Sequence, residues 1–406
     1  MNISRFVTGA LLMCALPVLA QPVLAQPDIK PDGGPKFPKV SPEDAAKLGL
    51  TAQPIKLHLR DVTLRDALGE LQKQSSVSFD ISWGGGDNLD KKLSLDIETR
   101  SFNAAFAAVL DEADVKARLQ RWGGNFTWNV QFGAPEENDA PQAGAPPFQL
   151  RATNLTSNFN RYVTPGKTKA VNRGQSETLS VTLALTLDPQ LPLTSTPRIR
   201  LSRAEDEAGR SLLLPPDPNR ANSEYGNGFS QQIDVFLSAP EKGSHTLAHL
   251  EGVATYVLVD KREHWEIADL LKTPNATHTF ESGGQNVTAS VVGAEKKGAT
   301  LQLEFQLRAP QGADLNEGKN PLFSFEQISS SLHLRDAKGR TLSSGGYSGS
   351  GESNGYTLQL RFPLSAPGQA GAGATSLVEP LSLVFDAPTE FVQTQVPFSF
   401  SDLPLP

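Results

Sequence analysis

The segment from Ile55 to Leu119 contains one apolar pattern twice, at a constant shift of 38 residues and without a gap. The first copy, IKLHLRDVTLRDALGELQKQSSVSFDI, begins at Ile55, and the second, LSLDIETRSFNAAFAAVLDEADVKARL, begins at Leu93. The equivalent apolar pairs are Ile55 and Leu93, Leu57 and Leu95, Leu59 and Ile97, Leu64 and Phe102, Ala67 and Ala105, Leu68 and Phe106, Leu71 and Val109, Val77 and Val115, and Ile81 and Leu119. Two copies of one pattern predict two copies of one element order.

Each copy changes its period twice. Apolar residues first alternate, which predicts a strand with one buried face, and then fall at i, i+3, i+4 and i+7, which predicts an amphipathic helix. Alternation returns at the end of the copy, so the order is strand, helix, strand. Thr63, with Asp66 three residues later, and Ser101 stand where an N-cap hydroxyl is expected. Both helices are predicted on one face of a small shared sheet, to which Phe126 to Val130 adds a last strand.

This pattern resembles the short N-terminal domain shared by secretins and TonB-dependent signal-transducing receptors. The resemblance rests on TLRDALGELQKQSSVSFDI and on its second copy, SFNAAFAAVLDEADVKARL, and covers under a fifth of the chain. It implies an α+β domain at residues 54–132 that docks to other proteins. No secretin channel and no receptor body follows, so neither secretion nor uptake is implied. The alternative is a duplicated strand-helix-strand domain of another origin.

Length and composition fit a folded protein with several domains. The 406 residues predict two to four domains, and a hydrophobic content of 38% suffices for packed cores. Lys and Arg total 37 against 44 Asp and Glu, a net charge of −7 without a large basic run. This balance argues against a nucleic-acid partner.

The first 25 residues predict a secretory signal peptide, with Arg5 before an apolar run and cleavage after Ala20 or Ala25. No later stretch approaches 18 apolar residues, so no membrane span is predicted in the mature chain, which we expect in the periplasm or cell envelope. Cys14, the one cysteine of the chain, would be removed with the signal, and Met13 before it disfavours a lipid anchor. The mature chain would then have no disulfide.

Two proline-rich stretches predict linkers. Residues 26–53 include QPDIKPDGGPKFPKVSPED and favour an extended tether with a short helical turn from Pro42 to Leu48. Residues 133–147 contain GAPEENDAPQAGAPP. Together they bracket the duplicated domain.

Beyond Phe148 strand alternation replaces helical periodicity, as in the runs Leu179 to Leu187 and Leu301 to Leu307. RAEDEAGRSLL, ending at Leu213, pairs with HLRDAKGRTLS, ending at Ser343, and NGFSQQIDVFLSAP pairs with NGYTLQLRFPLSAP at a shift of 127 that continues from Leu250 to Leu377. This second duplication predicts two all-β, immunoglobulin-like sandwich domains, at residues 148–262 and 263–406. The predicted fold class is therefore a small α+β domain followed by two β-sandwiches.

No motif assigns chemistry, and we predict no catalytic, cofactor-binding or metal-binding residue and no cofactor. His245 and His249 have a helical metal-ligand spacing but lie in a predicted loop and strand. GGYSGSGESNG fails as a nucleophile elbow at Ser350 and predicts a flexible hairpin tip. Four further groups could in principle form a site, but we expect them to be loops, turns or core residues instead. They are Gly371 and Gly373 for a dinucleotide loop, Asp314, Asn316 and Glu317 for a calcium loop, Asp111, Glu112 and Asp114 for acid-base groups, and Trp83, Trp122, Trp128 and Trp265 for a sugar platform.

Two functions from different classes follow. The first is a non-enzymatic adaptor that docks to an envelope protein through the duplicated domain. The alternative is a secreted protein that binds a glycan or another ligand on its β-sandwiches. An enzyme would need Asp and Glu side chains brought together from distant positions.

Overall fold

The computed structural model describes residues 37–49, 54–75, 77, 79–80, 86–121, 128–132, 140–145, 147–164, 171–194, 197–214, 232–273, 275–310, 323, 325–352, 354–364 and 378–406. Strands account for 58% of the structure, and its four α-helices are short. The mostly β character agrees with the predicted fold class. The predicted signal peptide and Cys14 lie outside the described residues.

The N-terminal α+β part, residues 54–132, is called the head below. A short helix, α1 (Pro42–Gly49), precedes it. Its elements are β1 (Ile55–His58), β2 (Val62–Thr63), α2 (Leu64–Ser75), β3 (Phe79–Asp80), a 3₁₀ helix (Gly86–Asp90), β4 (Lys92–Leu93), β5 (Asp96–Thr99), α3 (Phe102–Glu112), β6 (Ala117–Arg121) and β7 (Trp128–Phe132). β1 pairs with β5, β2 pairs with β4, and β3, β7 and β6 form a mixed sheet in that order.

The apolar pattern of the two copies sits in one core. All helix-stripe residues of both copies are buried, namely Leu64, Ala67, Leu68 and Leu71 in α2 and Phe102, Ala105, Phe106 and Val109 in α3. Phe79 of β3 packs edge-on against Phe102, with 5.8 Å between ring centroids. The two predicted amphipathic helices are therefore confirmed, because their apolar stripes are buried against each other and the strands. The described strands of the head form three small sheets and not the one shared sheet that the sequence predicts.

Both predicted helix N-caps are confirmed. The Thr63 hydroxyl accepts a hydrogen bond from the Asp66 backbone N–H at 3.1 Å and donates to the Asp66 carboxylate at 2.7 Å. The Ser101 hydroxyl accepts from the Ala104 N–H at 3.2 Å. Each cap satisfies a backbone donor that the first helical turn leaves unpaired.

The described residues beyond the head form strands and one short helix. Its elements are β8 (Gln142–Ala145), β9 (Phe148–Thr164), β10 (Val171–Leu187), β11 (Arg198–Asp206), β12 (Gln232–Ser238), β13 (Thr246–Ile267), β14 (Thr277–Ser282), β15 (Gln285–Lys297), β16 (Thr300–Arg308), α4 (Phe325–Ser330), β17 (Leu332–Arg335), β18 (Thr341–Ser343), β19 (Gly346–Glu352), β20 (Gly355–Pro363) and β21 (Ser382–Pro404). Three sheets result, with strand orders β12-β10-β9-β8, β11-β13-β21-β17-β18 and β14-β15-β16-β20-β19.

Two cores lie between these sheets. In the first, alternating residues of β10 face those of β13 and the end of β21, and the rings of Phe148 and Tyr256 lie 4.8 Å apart. In the second, alternating residues of β16 and β20 face β17 and the start of β21, and the rings of Phe305 and Phe385 lie 5.1 Å apart. The predicted alternating runs are confirmed as buried strands from Leu179 to Leu185 and from Leu301 to Leu307.

Strands β13 and β21 belong to both cores. On β13 the first core ends at Leu258 and the second begins at Val259. On β21 the same change occurs between Phe391 and Val392, and these residues pair with Val259 and Leu258. Register shifts around Lys261 follow immediately. A β-bulge reverses the face that a strand presents, which lets one strand pair serve two cores.

Parts of both predicted linkers are packed. The predicted helical turn is confirmed as α1, whose Ala45 is fully buried in the first core. Just before it, the Val40 N–H donates to the Gln393 carbonyl of β21 at 2.9 Å. The second linker contains β8, which pairs with β9. The predicted domain limits themselves stay predictions.

The paired segments RAEDEAGR and RDAKGR form the same turn. Asp206 and Asp336 each accept hydrogen bonds from the backbone N–H and the guanidinium of the arginine four residues later. Gly209 and Gly339, with φ of 75° and 76°, adopt the left-handed conformation that this turn requires. The shift between the copies is 130 here. It is 133 in the last strands, where Leu250 and Leu383 face the equivalent residues Ala204 and Leu334. The predicted constant shift of 127, which matches Leu250 to Leu377, is therefore wrong beyond β20.

The prediction of a flexible tip at GGYSGSGESNG is also wrong. Its residues Gly346 to Glu352 form strand β19, which pairs in register with β20. Backbone pairing to an ordered neighbour compensates for side chains that bury little.

Asp206 makes folding stability depend on pH. Hydrogen bonds from Arg210, and then from Ser244 and backbone N–H groups, lower the pKa of this buried carboxyl to about 2. Because the pKa is lower in the folded chain than in the unfolded one, the stabilisation is present above about pH 4 and is lost as the pH falls towards 2. Urea unfolding between these pH values should show a smaller loss of stability for Asp206→Asn than for the wild type. Asp402→Asn, at an exposed residue, is the control, and a profile of Asp206→Asn parallel to the wild type would contradict the assignment.

Candidate functional site

A groove of about 550 Å³ runs along the head between β1 and α2. The residues that line it are Lys56, His58, Leu59, Val62, Arg65, Asp66, Gly69, Glu70, Lys73 and Gln74. The C-terminal end of α2 lies beside Lys56 and its N-terminal end beside Leu59 and Val62, so that strand and helix run in opposite directions along the groove.

The backbone of β1 presents hydrogen-bonding groups to this groove. Leu59 and Leu95 exchange backbone hydrogen bonds of 2.8 and 3.1 Å. Since hydrogen-bonded pairs alternate along antiparallel strands, the N–H and C=O groups of Leu57 and Ile55 point towards β5, and those of Lys56 and His58 point away from it. In the part of the chain that the structure describes, β1 pairs with no strand other than β5, so it is a sheet edge.

Gln74 covers half of this edge. Its side-chain amide accepts a hydrogen bond from the Lys56 N–H at 2.7 Å and donates to the Lys56 carbonyl at 2.8 Å. The amide thus makes the two bonds that a neighbouring strand would make. The same amide nitrogen also donates to Glu70 at 3.0 Å. This bond, ahead of the ion pair with Lys73, lowers the pKa of the Glu70 carboxyl from its ordinary value.

Gly69 keeps the helix side of the groove open. It lies in the middle of α2, where glycine costs about 0.5–1 kcal/mol relative to alanine. A Cβ at this position would meet nothing within 4 Å, so neither a backbone clash nor core packing requires glycine here. The missing side chain leaves room for a bound segment to approach the helix backbone.

Charges of both signs surround the groove. On the sheet side His58 contacts Asp96 at 2.8 Å and Lys56 contacts Glu98 at 3.2 Å. All four side chains are more than half exposed, so each contact contributes little to stability. They can exchange partners with an incoming segment at small cost.

A buried carboxylate attaches the head to the β region. Asp188, at the end of β10, is 1% exposed and accepts hydrogen bonds from the Ser101 hydroxyl at 2.9 Å and the Asn103 N–H at 3.4 Å. These donors lie at the N-terminus of α3, where a negative charge is favourable. Burial raises the pKa of Asp188 from its ordinary value, although its hydrogen bonds act in the opposite direction. Gln190 adds a bond of 3.0 Å to the Ser75 carbonyl at the end of α2.

The other sequence candidates do not come together into a site. His249 lies in β13 and His245 just before it, and the described residues contain no group of three His, Cys, Asp or Glu side chains arranged to hold a metal ion. Asp111 and Glu112 end α3 as exposed groups. Trp265 is half-buried and stacks on His278 at 5.5 Å. Residues 311–322 and 365–377, Trp83, Trp122 and the side chain of Trp128 lie outside the described residues.

The sequence analysis missed Gln74, Gly69 and Asp188. Glycine inside an amphipathic helix was the one available signal, because such a glycine is costly unless it has a packing or binding role. Gln74 and Asp188 act across 18 and 87 residues of sequence, and no local pattern marks such contacts.

The attachment of the head can be tested by a double-mutant cycle. Ser101→Ala and Asp188→Ala remove the two ends of one hydrogen bond, so their effects on the opening free energy of α3 amides in hydrogen exchange should couple by about 0.5–3 kcal/mol. Thr63→Ala removes the other helix cap, which does not contact Asp188, and its effect should add to that of Asp188→Ala within about 0.5 kcal/mol. Additivity of Ser101→Ala with Asp188→Ala would contradict the attachment.

Among the described residues no helix has the length and apolar character needed to cross a membrane. Comparison with known proteins finds no family model, no curated protein and no solved structure that matches the chain.

Proposed function

We propose that the chain is a non-enzymatic protein-interaction or adaptor protein of the periplasm or cell envelope, which docks to a partner protein through its head. The observation that supports this most is the sheet edge of β1, where the backbone of His58 faces a groove and the backbone of Lys56 is held by a side chain, Gln74.

The docking step is strand addition. An extended partner segment lies in the groove, pairs with the outward N–H and C=O groups of His58, and displaces the Gln74 amide from Lys56. Main-chain hydrogen bonds supply affinity in such complexes, and alternate side chains supply specificity. The freed Gln74 amide nitrogen keeps Glu70 as its acceptor, which lowers the cost of the displacement.

The proposed architecture assigns each part a role. Residues 54–132 form a domain like the short N-terminal domain of secretins and TonB-dependent receptors. The two immunoglobulin-like sandwiches, predicted at residues 148–262 and 263–406, share β13 and β21, so that the end of β21 completes the first one, and they act as a spacer and a second contact surface. The signal peptide at residues 1–25 delivers the chain across the inner membrane. The envelope partner is a protein, since neither the net charge nor the groove is basic enough for nucleic acid.

The alternative, glycan binding, has no specific support in the described residues. A sugar platform needs an exposed aromatic face. The face of Trp265 is stacked on His278, and a second tryptophan beside it is not among the described side chains. We therefore treat glycan binding as an outcome of the test below.

Filling the groove should abolish docking. In Gly69→Trp the new side chain enters open space, so the head should stay folded while the groove is blocked. The full-length mature wild type, immobilised and exposed to periplasmic extract, should retain a protein that Gly69→Trp loses at least tenfold. Ala107→Trp places the same residue on the exposed face of α3 and should retain the partner.

Two results would contradict the proposal. Equal capture by Gly69→Trp and the wild type would exclude the groove as the docking site. Retention of a polysaccharide from a defined panel, with no protein retained, would favour the glycan alternative.

A further inference from the structure

The outer face of the β1–β5 pair has its charges in two columns. Lys56 and His58 of β1 lie opposite Glu98 and Asp96 of β5 in the strand register. The Lys56 Nζ lies 3.2 Å from the Glu98 carboxylate, and the His58 Nδ1 lies 2.8 Å from the Asp96 carboxylate. Arg60, just after β1, reaches Asp96 at 3.6 Å. The strand beside the groove is therefore the basic one, and the acidic residues lie one strand further away.

The groove is positively charged although the chain as a whole is negative. Three cations and two carboxylates line it, namely Lys56, Arg65 and Lys73, and Asp66 and Glu70. Both carboxylates accept hydrogen bonds from neighbouring residues, one from the Thr63 hydroxyl and one from the Gln74 amide. Arg65 is exposed and forms no ion pair with any residue that the structure describes. On a chain with a net charge of −7, such a groove attracts an acidic segment in preference to a basic one.

The register of an added strand decides which of its residues meet these charges. Its residues opposite Lys56 and His58 pair with the outward backbone groups of β1, and their side chains lie on the same face as those of Lys56 and His58. Side chains directly opposite each other interact, so that opposite charges are favourable and like charges unfavourable. Acidic residues at both positions would place each basic residue of β1 between two carboxylates, one from β5 and one from the partner.

The residue between these two positions faces the helix. It lies opposite Leu57, whose side chain is fully buried in the head core, and its own side chain points to the same side. There Gly69 leaves open space, and Leu59 and Val62 line the same groove with apolar groups. An apolar side chain at this middle position therefore enters the space beside α2.

We propose that the partner docks with an extended segment of the order acidic, apolar, acidic, with the acidic residues opposite Lys56 and His58 and the apolar residue beside Gly69. This inference rests on the docking role proposed for the head and names the chemistry of the partner segment. The two acidic side chains continue the alternation of charge across the sheet. A segment with basic residues at the same two positions places like charges against β1.

Peptides of defined charge test this assignment. The full-length mature chain is titrated into fluorescently labelled Thr-Val-Glu-Val-Glu-Val-Thr and into Thr-Val-Lys-Val-Lys-Val-Thr, and binding is followed by fluorescence anisotropy. The two peptides have the same length and the same apolar face, and they differ in the charge that faces β1. The Glu peptide should bind about tenfold more tightly than the Lys peptide at low salt. The difference should shrink at about 0.5 M salt, because exposed charges are screened.

Exchanging the two charge columns gives a sharper test. Four substitutions are combined: Lys56→Glu, His58→Glu, Asp96→Lys and Glu98→Lys. They reverse the charge beside the groove and keep opposite charges paired across the sheet, so this variant should bind the Lys peptide about tenfold more tightly than the Glu peptide. Lys261→Glu with Glu390→Lys exchanges an exposed ion pair between β13 and β21 and should leave the wild-type preference unchanged.

Three results overturn the inference. The first is equal binding of the two peptides by the wild type, which includes no binding of either at about 1 mM. The second is an exchange variant that keeps the wild-type preference. The third is unchanged binding of the Glu peptide by Gly69→Trp, since a peptide in the groove should be lost in that variant. Failure of the docking role has a different signature, which is equal capture of a periplasmic protein by Gly69→Trp and the wild type.

Discussion

The antiparallel pair of β13 and β21 holds the β region together. It runs from Thr246↔Pro404 to Ile267↔Leu383 and supplies one wall of each core. The last residues of the chain therefore complete the first core, where Val396, Phe398 and Phe400 are buried. Fully burying such side chains contributes about 1.5–3 kcal/mol each, which for three residues is comparable with the typical stability of about 5–15 kcal/mol for a whole protein. The first core can thus close only after the second core's sequence has been made.

The change from one core to the other needs a change of face, and a bulge provides it. Leu258 and Val259 are neighbours on β13 and both are buried, one in each core. Successive side chains of a strand point to opposite faces, so the two cores contact opposite faces of β13 at these two residues. The register shifts on either side of Lys261 let the strand continue with its other face inward. The buried carboxylate of Asp188 adds the head to this framework, because one acceptor from the end of β10 serves donors at the start of α3.

Local sequence patterns correctly predicted the structural features that depend only on nearby residues. The helix stripes, the caps at Thr63 and Ser101, and the buried alternation in β10 and β16 all follow from residues less than one element apart. The predicted shift of 127 residues between the two β copies is wrong in the last strands. Insertions in turns change the residue numbering, whereas strand pairing preserves the geometry. It is the register of Leu250 and Leu383, and not their distance in sequence, that makes them equivalent. The flexible tip at β19 failed for a related reason, since composition describes side chains and an edge strand is ordered by its backbone.

Edges β1 and β19 present the same physical problem with different solutions. At β1 a side chain, Gln74, supplies the two hydrogen bonds that Lys56 would otherwise lack, and it leaves His58 open beside a groove. The edge is thus partly covered by a group that a stronger partner can displace. At β19 the strand is ordered by its pairing with β20, its one charged residue is Glu352 at the last position, and a Cβ on Gly349 would come within 2.7 Å of the Phe325 ring. An edge covered by a replaceable amide suits a partner that binds reversibly. The chemistry of β1 therefore fits the docking role proposed for the head.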